Sequence, residues 1–359
     1  MSFLSKSNDG VMGEDCGDYF RFIRMKRVFI AVMSVATVLL VLLSFGVGKY
    51  DVGLIEAWKI IFNDIYEGVN TIKDDVVWEL RVPRGLAGAI AGACLAVSGC
   101  VMQSMLRNPL ADPYTTGVSS GASLGASIAI IMGISIIPVG GQVSIIANAF
   151  IMSLIPAAII TFVSVVKKVS PTTMILIGIG IMYMFSAFTQ LLKLNATPDQ
   201  MEEIYMWQLG SLSMLDISAI PILLVTAIVG IVALYSFKGH LNMMSLGDNP
   251  AMTLGTNPWR TRVICLVIIS FMTAVIVSFT GTIGFVGLVA PQMVRVFIGS
   301  DNRYLLPASA CFGAAFLVAA DMIARVVGTT GVPVGVITAI VGSPLFLYLL
   351  IKKSKKQTV

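Results

Sequence analysis

Between Arg81 and Gly125 the chain reads RVPRGLAGAIAGACLAVSGCVMQSMLRNPLADPYTTGVSSGASLG. Two arginines and a proline open it, and an uncharged run long enough to cross about 30 Å of hydrocarbon as a helix follows. A polar, proline-rich elbow (Arg107 to Pro113) then reverses the chain into a second apolar run rich in Gly and Ser. Such a segment satisfies its own backbone inside a bilayer only as helix, turn, helix. The small residues at four-residue spacing (Gly88 and Gly92; Gly117, Gly121 and Gly125) predict close backbone packing.

The pattern recurs along the chain. Hydrophobic residues are 57% and charged residues 12%, against roughly 25% charged in ordinary soluble domains. Ten spans are expected, near 28–46, 84–105, 114–133, 143–166, 172–192, 217–237, 261–280, 283–299, 304–325 and 333–351. The expected fold class is an all-α integral membrane protein with one membrane domain, 28–351. An acidic-then-basic leader, 1–27, precedes it and a basic tail, 352–359, follows. The leader lacks a small-residue cleavage site, so the first span is not read as a signal peptide.

Cation placement sets the expected orientation. With both termini inside, 17 of the 24 lysines and arginines fall on cytoplasmic segments and 7 outside. The net charge of +5 is therefore assigned to the inner leaflet, with no nucleic-acid partner. The larger extramembrane pieces are an outer loop at 47–80 with a helical pattern around LIEAWKIIF, an outer loop at 194–215, and an inner loop at 238–259.

Several chemistries are missing. No GxxxxGK[ST] loop is present, so ATP is not expected to bind this chain by that route. There is no HExxH, no nucleophile-elbow serine with a partner histidine, and one histidine in all, His240, in the inner loop. Cys16, Cys94, Cys100, Cys265 and Cys311 are scattered without CxxC spacing and read as small packing residues. No cofactor, metal site or catalytic residue is expected. Asp321 is the one clear ionisable group inside a span, and Arg325, one helical turn on, can neutralise it.

The motifs RVPR (81–84), GACLAVSGCVMQ (92–103), RNPLADP (107–113), GVSSGASLG (117–125), WQLGSL (207–212), LGDNPAMTLG (246–255), GTIGFVGLVAPQMVR (281–295), AADMIAR (319–325) and PVGVITAIVGSPLFLYLL (333–350) follow in order. By them the chain resembles the FecCD-type permeases of ABC importers for iron–siderophore complexes, haem and vitamin B12. The resemblance implies a vitamin-B12-importer-like permease fold. It implies a second permease subunit (identical or related), two ATP-binding cassette ATPases that carry the ATP, and an extracytoplasmic binding protein. It departs from the family's usual pattern at Gln292, where histidine is usual, and at Gly331, where glutamate is usual.

The same resemblance implies the candidate sites. Leu246, Gly247, Asp248, Asn249, Pro250, Ala251, Met252, Leu254 and Gly255 would form the ATPase-coupling segment, with Ala251, Met252 and Leu254 seated in the ATPase. Arg81, Arg84 and Arg325 would grip acidic residues of the binding protein, a task suited to the planar guanidinium fork. Asn108 and Leu110, with Ser170, Thr172 and Thr173, would form the cytoplasmic gate. An ion-coupled secondary transporter is the alternative of another class, and the scarcity of carboxylates within spans speaks against it.

Overall fold

The computed structural model describes the backbone of residues 8–67, 71–137, 140–213, 215–328 and 331–357, and their side chains except at 8–19, 64–67 and 353–357. Residues 1–7 of the leader and the last two of the tail lie outside the described residues. From Asn8 the leader is helical and runs unbroken into the first span, so residue 27 marks no structural boundary.

In chain order the helices are α1 (Asn8–Ser44), α2 (Leu54–Glu67), α3 (Ile72–Asp75), α4 (Val82–Leu106), α5 (Val118–Met132), α6 (Gln142–Lys167), α7 (Pro171–Lys193), α8 (Pro198–Leu209), α9 (Ile220–Ser236), α10 (Lys238–Ser245), α11 (Asp248–Thr253), α12 (Pro258–Thr280), α13 (Val286–Ile298), α14 (Asn302–Val326) and α15 (Val334–Gln357). A π-helical turn, Val76–Arg81, joins α3 to α4 without a break. Eight helical stretches among the described residues are long and apolar enough to span a membrane; α5 and α13 are apolar but shorter.

The expected spans at 114–133 and 283–299 are therefore built with shorter α-helices than the rest. At 1.5 Å per residue, helices of 15 and 13 residues reach only about 22 and 20 Å. α5 is preceded by a largely buried 3-10 turn, Pro113–Thr116, and α13 by a non-helical stretch at 281–285, and the two meet. Tyr114 Oη donates to the Ile283 carbonyl at 3.0 Å and accepts from the Ile283 N–H at 3.2 Å. Irregular backbone is tolerated at membrane depth when protein satisfies it in this way.

α4 is the hub. In its most apolar stretch 78% of residues are buried, against 6% for Phe20–Ser44 of α1, which packs along one face on α14 at the edge of the bundle. α4 packs on α14, α13, α9 and α12. The close approaches are backbone to backbone: a Cβ on Gly92 would collide with the Gly313 carbonyl, and one on Gly99 with the Gly287 carbonyl. Without a hydrophobic driving force in lipid, such contacts supply much of the association. Gly92→Val is expected to destabilise the bundle by about 1–3 kcal/mol through overpacking. The check is thermal unfolding in detergent, where an unchanged midpoint would show that α4 and α14 are free to separate.

Outside the bundle, α2 seats Ala57 and Trp58 against Phe45, Val52, Val77 and Val82 in a small separate core. The 194–215 loop contains α8, closed by a capping box at Thr197 and Gln200. Cys94, Cys100 and Cys265 are buried and unpaired, in keeping with a packing role. His240 is exposed beside the Phe237 ring.

Candidate functional site

Polar side chains collect at the two ends of the bundle. At the end formed by the start of α4 and the close of α14, Asp321 is 1% exposed and lies between two arginines. Its Oδ1 accepts from Arg84 Nε at 2.6 Å and its Oδ2 from Arg325 Nε at 2.7 Å. Arg325 also donates to the Ser44 carbonyl at 2.8 Å and the Val47 carbonyl at 3.3 Å, closing the end of α1. Arg81 is 3% exposed and donates to the carbonyls of Phe45, Val52 and Tyr50 at 3.1, 2.7 and 2.9 Å.

These positions alter the expectation for the three arginines. They do share one cleft of about 460 Å³, lined also by Lys49, Tyr50 and Leu80. Arg81 and Arg325, however, turn inward onto carbonyls of the 44–52 turn and so hold that turn from within the protein. Arg84 alone of the three is more than a tenth exposed, at 16%. Arg81→Glu is therefore expected to loosen the 45–52 turn and lower the unfolding temperature, whereas a purely peripheral arginine would leave it unmoved.

At the opposite end the elbow after α4 turns through Arg107, left-handed at φ 50°, whose N–H still caps onto Gln103. Asn108 Oδ1 then accepts from Leu110 N–H at 2.9 Å, and the Leu110 side chain is exposed. Ser170 caps α7 by accepting from Thr173 N–H at 3.2 Å, with Thr172 and Thr173 exposed beside it. Among the described residues no hydrogen bond joins the Asn108–Leu110 turn to the Ser170–Thr173 turn. The two remain separate caps within one chain.

The 246–255 segment is a short helix, α11, entered at Gly247 (φ 119°) and left at Gly255 (φ 82°). Its faces correct one expectation. Ala251 is 0% exposed and packs into the permease itself, while Leu246, Met252 and Leu254 are 66%, 56% and 55% exposed. Helical periodicity separates Ala251 from its neighbours in sequence. Asp248 is bound bidentately by Arg262, at 2.6 Å to Oδ1 and 2.9 Å to Oδ2, and Arg107 reaches Oδ1 at 3.3 Å. The Arg262 hydrogen bonds hold the Asp248 carboxyl below the usual carboxylate range, partly offset by burial.

Sequence reading missed a second polar system behind the elbow. Gln292 Nε2 donates to Gln103 Oε1 at 2.9 Å and to the Pro109 carbonyl at 3.3 Å. Arg295 Nη1 shares the same Gln103 oxygen at 2.8 Å. Ser104 Oγ donates to Asn302 Oδ1 at 3.0 Å, and Asn302 Nδ2 donates to Asn242 Oδ1 of α10 at 2.9 Å. The unusual glutamine at 292 thus fits its place as an amide donor. Arg262 and Arg295, two of the 17 cations assigned above to cytoplasmic segments, turn inward onto the protein.

A bundle of ten apolar helices, with polar clusters at its ends and a short helix partly exposed at one of them, is a multi-pass membrane permease. A profile of the FecCD transport family matches residues 36–352. The chain belongs to that family, which comprises permease subunits of ABC importers. It is 40% identical to the cobalamin import system permease protein BtuC of Halobacterium salinarum, over 79% of this chain and 75% of that one. It is 32% identical to the hemin transport system permease protein HmuU of Yersinia pestis, over 92% of this chain and 98% of that one. A solved ABC transporter assigned to the metal-chelate type, in an inward-facing conformation, superimposes with a TM-score of 0.79 at 27% identity, covering 90% of this chain and 98% of that one.

Proposed function

We propose that this permease carries a metal chelate into the cell, a ferric siderophore before haem or cobalamin, driven by ATP hydrolysed on a separate chain. The observation that carries the reading is the exposed apolar triad Leu246, Met252 and Leu254, on and beside helix α11, which is anchored from behind by Ala251 and Asp248. An exposed apolar face on a fixed support is what a partner's groove requires. Chemistry stays on the partner: this chain acts as a passage and not as an enzyme. Two copies, or this chain and a related one, would enclose the path, with two ATPases below and a binding protein above.

The cleft around Arg84 would receive an acidic residue of the binding protein. Four cations line it (Lys49, Arg81, Arg84 and Arg325), and Asp321 behind them offsets only part of their charge. A carboxylate entering there meets Arg84 first. Each rim ion pair contributes about 0.2–1 kcal/mol, so Arg84→Gln is expected to weaken binding-protein capture two- to fivefold. Unchanged capture would remove the cleft from the docking surface. The Asn108–Leu110 and Ser170–Thr173 turns would close the inner mouth.

Uptake tests the cargo directly. In a strain lacking the chromosomal system, the reading expects accumulation of an iron-labelled siderophore and little of labelled cobalamin; the reverse would reassign the cargo. Orientation follows the cation asymmetry. A reporter fused after Lys238 should read cytoplasmic and one near Asp199 external. An external reading at Lys238 would place α11 on the wrong side for an ATPase and overturn the coupling assignment.

A further inference from the structure

Among the described residues, Asp248 ties the exposed α11 helix to the elbow after α4 by hydrogen bonds to arginine. It is the first residue of α11. Its carboxylate takes a two-pronged grip from Arg262, whose Nε donates on to the Met105 carbonyl in the last turn of α4 at 3.1 Å. A second arm, from Arg107, comes from the residue immediately before Asn108. Arg262 is nearly buried and fixed at three donors, so it behaves as a rigid strut rather than a snorkelling cation.

We propose that Asp248 is a positioning residue for transport: through Arg107 and Arg262 it transmits displacement of α11 to the α4–α5 elbow. The inference rests on the reading of α11 as the ATPase-docking helix and adds the route by which docking reaches the gate. The geometry suits the task because charge-assisted, bidentate contacts resist shear, where apolar contacts slide. Gly247 and Gly255, both at positive φ, bracket α11 and let it tilt as a unit. The Asp248 clamp is then what keeps a tilt from being absorbed within the loop.

The test uses the assembled permease–ATPase complex and a spin label at Leu110→Cys, with Cys16 and Cys311 replaced by serine. Cys94, Cys100 and Cys265 are buried. Adding ATP should shift the label spectrum in the otherwise unaltered permease. Asp248→Asn should cut the shifted population at least tenfold when the spectrum is normalised to the amount of assembled complex. Arg107→Gln, at a half-exposed position, should do the same, and serves if Asp248→Asn fails to fold. Arg260→Gln, an exposed neighbour, should leave the shift intact. A full shift in both clamp variants, or a loss that only follows lost ATPase binding, overturns the proposal. So does an unaltered complex that hydrolyses ATP with no shift at Leu110. Failure of any ATPase to associate would instead overturn the importer reading on which this rests.

Discussion

Asp321→Ala is expected to be the most damaging single substitution in the chain. It leaves the Arg325 guanidinium buried without its counter-ion and removes the bond that ties Arg84 of α4 to α14. Breaking a buried ion pair by deleting one partner costs about 3–5 kcal/mol, on the order of a 5–10 °C fall in unfolding midpoint for a chain of this size. Thermal unfolding in detergent, with the yield of folded protein from membranes, measures it. The double variant Asp321→Leu with Arg325→Met should recover much of the loss, since no charge is then stranded in the core, and Arg84 can reach the cleft. If the double variant is no better than the single one, the cluster does more than neutralise charge.

The second large effect is expected at α11. Placing Asp at Leu246, Met252 and Leu254 together should abolish association with the ATPase while leaving the permease as stable as before. All three side chains are more than half exposed in the isolated chain. A charge carried into an apolar partner groove costs several kcal/mol, so even one substitution should weaken the complex at least tenfold in a pull-down. Ala251→Asp would give the same loss for another reason, because its methyl packs inside the permease and the new carboxylate would unseat α11. Gly255→Pro is equally indirect: at φ 82° no proline can be accommodated. Retained assembly in the triple variant would show that the ATPase binds elsewhere.

Hydropathy carried most of the architecture. Ten apolar runs became ten apolar helices, and the Gly- and Pro-flanked LGDNPAMTLG stretch became a short helix. The elbow at RNPLADP turned where its asparagine and prolines dictate. Two of the spans, at 114–133 and 283–299, are built differently from the rest. α5 follows a 3-10 turn (Pro113–Thr116) and α13 a non-helical stretch at 281–285, and the two stretches are held together through Tyr114 and Ile283. Those contacts lie 169 residues apart in sequence, and no local pattern reports them.

The candidate site divides along the same line. The residue types and their order settled by themselves that the chain spans a membrane and which short segments carry the family's motifs. A side chain's solvent and its place on a helix are local properties, legible from period and polarity. The tertiary structure alone decided that Arg81 and Arg325 spend their donors on the protein's own carbonyls, that Ala251 faces inward, and that Asp248, Arg262 and Arg107 meet. Those outcomes depend on the rotation and depth of helices relative to one another, set by backbone-close contacts such as Gly92 with Gly313. A sequence period fixes which residues share a face, but only packing fixes what that face meets.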